Sequence, residues 1–128
     1  MPISRSFNLF RGLTIVVILA AGCGGGGNDD PSSGVTAVEI LIVPGATLLG
    51  PNAYEPNPLT VNLGGTVVWR NNDEVPHTVT SDPPSGELSS GNIAALGGTF
   101  SRTFMTAGTF NYHCAIPNHA MQGTVIVQ

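Results

Sequence analysis

The chain has 128 residues, 41% hydrophobic and 9% charged, which is room for one globular domain after a targeting segment and leaves none for a second domain. It contains no lysine, and four arginines against eight acidic residues give a formal net charge of -4, so a nucleic-acid surface is excluded and no nucleic-acid partner is expected. Of the two cysteines, Cys23 and Cys114, a disulfide would be the ordinary account in an exported protein, but each has a more local explanation.

Residues 1–22 set Arg5 and Arg11 ahead of an apolar run from Leu13 to Ala21. This is the pattern of an export signal, and the run is shorter than the roughly twenty apolar residues of a spanning helix. Leu19, Ala20, Ala21, Gly22 and Cys23 resemble the lipobox of bacterial lipoproteins, in which the cysteine is lipidated and begins the mature chain. An ordinary cleaved signal peptide is the alternative. Lipidation of Cys23 implies attachment to the extracytoplasmic face of a bacterial membrane, in the periplasm or at the cell surface, at about 0.8 kcal/mol per buried methylene. Residues 23–34 then read as the lipidated cysteine and a flexible Gly, Ser and Asp tether with nothing to bury.

Residues 35–128 carry the grammar of strands and turns. Val38, Ile40 and Ile42 alternate with Glu39 and Leu41, and Pro44 and Gly45 end that strand. Pro51, Pro56 and Pro58 make the next stretch irregular. Leu59, Val61 and Leu63 form a strand joined tightly through Gly64 and Gly65 to another over Thr66 to Arg70, as in a hairpin. Asn71 to Glu74 reads as a polar turn, and Pro76 to Ser81 opens a further strand. Residues 83–98 are a long connection, Phe100 and Phe104 mark a strand, and Ala107 and Gly108 turn the chain into the strand of the C-terminal loop. No helical periodicity is present. Seven to eight short strands predict an all-β, two-sheet Greek-key sandwich, with Trp69 packed between its sheets and Met105 as packing.

Phe110, Tyr112 and Cys114 alternate with Asn111 and His113, so a period-two strand aims the thiol and two rings at the core and His113 outward. His119 and Met121 follow within a loop holding Pro117 and Asn118. A thiol, an imidazole and a thioether in one short loop are soft or borderline donors that suit copper. A copper site asks for one more imidazole, and His77 supplies it.

Asn71 to Val79, with His77 inside it, and Gly108 to Cys114 running on through His119, Met121 and Gly123 resemble the cupredoxins, the plastocyanin and azurin family, over roughly residues 52–128. The resemblance implies one type 1 copper ion held by His77, Cys114 and His119 in a trigonal set with Met121 as the weak axial donor. It also implies the Thr78 amide as donor to the sulfur, and Asn72 as the residue that ties the two ligand loops together. Four residues separate Cys114 from His119 but only one separates His119 from Met121, so the axial position stays open between Met121, the Gln122 amide and neither. The implied function is that of a monomeric one-electron carrier, without turnover of its own, between a redox protein donor and acceptor outside the cytoplasm. His113, beside the copper cysteine, would serve an outer electron route.

A module for copper delivery or storage is the alternative; three methionines, one the initiator, argue against it. A copper enzyme needs histidines for a second centre, and three in all do not supply one. A metal-free sandwich leaves the ordered ligand set unexplained. Zinc fits a Cys-His-His set, but the thioether favours copper.

Overall fold

The computed structural model describes residues 37–83 and 85–128; the signal segment, Cys23 and the tether lie outside them. Its strands are β1 (Ala37–Ile42), β2 (Tyr54–Glu55), β3 (Leu59–Val61), β4 (Thr66–Asn71), β5 (Thr80–Ser81), β6 (Thr99–Thr103), β7 (Gly108–His113) and β8 (Gln122–Val127). They form two four-stranded sheets, in the orders β2-β1-β4-β6 and β3-β8-β7-β5. This is the all-β sandwich expected from the strand count. Single turns of 3-10 helix, Ala46–Leu48 and Pro51–Ala53, bridge β1 to β2.

Period-two alternation builds the core. Ile40 and Ile42 of β1, Val67 and Trp69 of β4, Leu59 and Val61 of β3, Phe110 and Tyr112 of β7, and Val125 and Val127 of β8 are all buried. Each such aliphatic side chain contributes roughly 1.5–3 kcal/mol on leaving water. Trp69 reaches between the layers: its ring meets Tyr112 of the opposite sheet edge-on at 5.6 Å, and Tyr112 meets Tyr54 at 4.8 Å. Burial pushes both phenols up, so each stays protonated in the core.

Four local expectations change, the simplest being Met105, which is exposed and not packed. The turn at Gly64 and Gly65 is not a hairpin: β3 pairs in parallel with β8, whereas β4 pairs in parallel with β1 and antiparallel with β6. Gly64, at φ 82°, carries the chain from one sheet to the other, because Leu59 and Trp69 must face one core from opposite layers. The strand expected from Pro76 is reduced to Thr80–Ser81. His77 stands ahead of it, held by an isolated bridge to Ile93 with hydrogen bonds of 3.2 and 2.7 Å. Asn71 to Asp73 is no solvated turn either, since both of those side chains are buried.

Residues 85–98 remain irregular, yet Leu88 and Ile93 enter the core and close the end of the sandwich where His77 lies. At the same end β7 and β8 pair in register from Gly108 opposite Val127 to His113 opposite Gln122.

Gly123 faces Tyr112 in that ladder, and a Cβ on it would run into the phenol ring. The ring is fully buried and has no room to retreat. Gly123→Ala is therefore expected to lower the stability of the metal-free protein by about 1–3 kcal/mol, read as a lower urea midpoint.

Candidate metal centre

Cys114 continues the inward phase of Phe110 and Tyr112 one step past the end of β7, and it is buried. The next residues make a tight turn. Pro117 sets the first corner, Asn118 takes the left-handed conformation at φ 67°, and the His119 N–H closes the turn on the Ile116 carbonyl at 3.2 Å. Proline followed by asparagine is the pair such a turn favours, since asparagine tolerates positive φ. His119 is thereby folded back toward Cys114.

The donors converge. Cys114 Sγ lies 3.5 Å from His119 Nδ1 and 3.9 Å from His77 Nδ1, and the two Nδ1 atoms are 3.1 Å apart. A point equidistant from all three lies about 2 Å from each, the length of a metal–imidazole bond and slightly less than a metal–thiolate bond. Among the described residues this is the one group of three His, Cys, Asp or Glu side chains arranged to hold a metal ion. The spacing and the soft donor set fit copper.

Met121 and Gln122 are separated by strand alternation. One step beyond the pair of His113 with Gln122, Met121 comes opposite Cys114, whose N–H meets the Met121 carbonyl at 3.3 Å. Directly opposed residues share a face with their Cβ atoms about 5 Å apart, so the buried Met121 stands beside Cys114 while the exposed Gln122 points away.

The sulfur and the loop that bears it are both gripped by Thr78. Its N–H donates to Cys114 Sγ at 3.3 Å, as expected, and its hydroxyl accepts from the Ala115 N–H at 2.7 Å. Thr78, not Asn72, therefore ties the two ligand loops. The neighbouring asparagine with a structural role is Asn71. Its amide donates to the carbonyls of Val75 and Ile93, and its oxygen accepts from the Asp73 N–H. Asn72 is exposed.

Asp73 was not singled out by the sequence. Its Oδ2 accepts from His77 Nε2 at 2.7 Å and from the Ala46 N–H at 3.2 Å, and its Oδ1 accepts from the N–H groups of Gly45 and Glu74. Burial pushes this carboxyl up, but the hydrogen bonds from Gly45, His77 and Glu74 outweigh it and hold it down at about 2. Its spacing of four from His77 was the available signal. His113 lies outward as expected, half-buried and paired with Asp82.

Removing the Thr78 hydroxyl leaves the Ala115 N–H without its acceptor. Thr78→Val is expected to cost about 1–3 kcal/mol in urea unfolding of the metal-free protein.

The copper binding proteins of the plastocyanin/azurin family match residues 49–128. The chain is 36% identical over 88 residues to plastocyanin of Scenedesmus fuscus, covering 62% of this chain and 90% of that protein. It is 39% identical to amicyanin of Paracoccus denitrificans, covering 59% of this chain and 58% of the relative, and 37% identical to halocyanin of Natronomonas pharaonis, covering 70% and 57%. Against these last two it thus spans less than two thirds of the relative's length. Among solved structures, a purple cupredoxin from Nitrosopumilus maritimus superposes with a TM-score of 0.58 at 29% identity, over 70% of this chain and 98% of that one. An amicyanin variant in its oxidised state superposes with a TM-score of 0.57 at 32% identity, over 72% and 82%.

Proposed function

The chain belongs to the plastocyanin/azurin family of copper-binding proteins, and we infer from that membership and its converging donors that it is a one-electron carrier between redox partner proteins outside the cytoplasm. The observation that carries this function is the packing of the Cys114, His77 and His119 donor atoms around one point, with an N–H already aimed at the sulfur. Bound copper supplies a Cu(II)/Cu(I) couple. His77, Cys114 and His119 would hold the ion, with the Met121 thioether as a weaker fourth donor.

The protein's residues do the rest. Thr78 moderates the charge on the sulfur by donating to it. Burial of His77, Cys114 and Met121 excludes water from three sides. His119 is the ligand left partly open, on a loop joined to residues 47–50 through hydrogen bonds of Ala120 with Thr47 and Gly50. Leu48 and Leu49 of that segment, and Val75 and Leu96 beside the Asp73 loop, are exposed apolar residues. They offer a desolvatable face for docking a partner against the His119 edge. His113, on the outer face of β7, offers a second way out. A delivery or storage role fits less well, because His77 is fully buried and an acceptor protein's ligands could not displace it to take the copper.

The copper-loaded protein is expected to show an intense visible thiolate-to-copper band and a reversible one-electron wave. Cys114→Ser abolishes the band. Met121→Leu keeps it and raises the reduction potential by about 60 mV, the equivalent of a tenfold change in relative affinity. Pale tetragonal copper in the wild type would refute the assignment.

Cys23, in the segment outside the described residues, is the proposed site of lipidation, with residues 24–34 as tether to an extracytoplasmic membrane face. Cys23→Ser is expected to move the protein from the membrane fraction to the soluble fraction on cell fractionation. Retention in the membrane would refute the anchor.

A further inference from the structure

Four hydrogen-bond donors converge on the Asp73 carboxylate, two on each oxygen, and three of them are backbone N–H groups, from Gly45, Ala46 and Glu74. The fourth is the Nε2 nitrogen of His77, at 2.7 Å. The carboxylate is thus fixed from three sides by the backbone before the imidazole reaches it. The Asp73 N–H is held in turn by Asn71 Oδ1 at 2.9 Å. An ionised carboxylate only accepts hydrogen bonds. Neutral His77 must then carry its hydrogen on Nε2, which leaves Nδ1 as a lone pair facing Cys114 Sγ and His119 Nδ1.

We propose that Asp73 is a positioning residue of the copper centre: its carboxylate selects the tautomer of His77 that presents Nδ1 to the metal, and it biases the site toward Cu(II). The proposal rests on the assignment of His77 as a ligand. A carboxylate behind an imidazole raises the basicity of the ligating nitrogen. The stronger donor favours the more highly charged oxidation state, so the carboxylate lowers the reduction potential. A purely structural staple of the 45–46 segment would make the same three backbone contacts without any such bias. Asp73→Asn separates the two roles, because asparagine keeps the volume and one acceptor oxygen but loses the charge and the obligation to accept from Nε2.

Two measurements on the full chain in detergent test this. In the metal-free wild type, nitrogen-15 spectra of the histidine rings should show His77 protonated at Nε2 only; protonation at Nδ1 would overturn the proposal, and no variant need fold for that result to be read. In Asp73→Asn, Cu(II) affinity should fall by about 10- to 100-fold with Cu(I) affinity nearly unchanged. The potential then rises by about 59 mV for each tenfold loss. An unchanged ratio of Cu(II) to Cu(I) affinity would equally overturn the proposal. The tautomer is read without metal, whereas the ligand assignment is judged by the thiolate band of the copper-loaded wild type, so the two failures are told apart.

Discussion

The geometry of this protein's metal centre depends on the double grip of Thr78. Its backbone N–H meets the Cys114 sulfur, and its hydroxyl holds the N–H of the next residue, Ala115. His77 lies just before β5 and Cys114 just after β7, so the pairing of Thr80 with His113 brings the two loops alongside, and Thr78 fixes their fine spacing. One residue adjacent to His77 thus contacts both Cys114 and the residue that follows it. The spacing of the donor atoms is then set by packed protein rather than by the ion, as a carrier that changes charge without rearranging requires.

The sandwich supplies what this grip needs. Tyr54, which packs edge-on against Tyr112, donates its hydroxyl to the Thr78 carbonyl at 3.0 Å, so the gripping residue is braced from the core as well. Tyr112 lies two residues before Cys114 on the same face of β7 and is wedged against Trp69 and the bare backbone of Gly123. The chain of contact runs from the opposite sheet, through the aromatic core, to the loop that carries three donors. Dense interiors resist small displacements, and here that resistance is applied within two residues of the thiol.

Much of this was legible in the sequence because it is periodic or local. Alternation placed Cys114 inward and His113 outward, and the order of His77, Cys114 and His119 pointed to the three side chains that the fold brings together. Which of Met121 and Gln122 faces inward was legible too: Met121 is in phase with the buried Gly123, Val125 and Val127, and Gln122 is not. Asn71 was similarly in phase with Val67 and Trp69, so its burial, and the outward place of Asn72, could have been read by extending β4 one step. Asp73 could not be read that way. Its burial is repaid by amides 27 and 28 residues away, a contact between distant segments that no window of sequence contains. The turn at Gly64 fails for the same reason, since whether a tight turn makes a hairpin or crosses between sheets is decided by partners elsewhere in the chain.

The central claim is that His77, Cys114, His119 and Met121 are held by the fold in one arrangement that serves both oxidation states. X-ray absorption at the copper edge, on the oxidised and reduced protein, tests it most directly. The account predicts one sulfur and two imidazole nitrogens in the inner shell of both states, with nearly unchanged distances. Loss of the sulfur or of an imidazole on reduction, or an inner shell of nitrogen and oxygen alone, would contradict it.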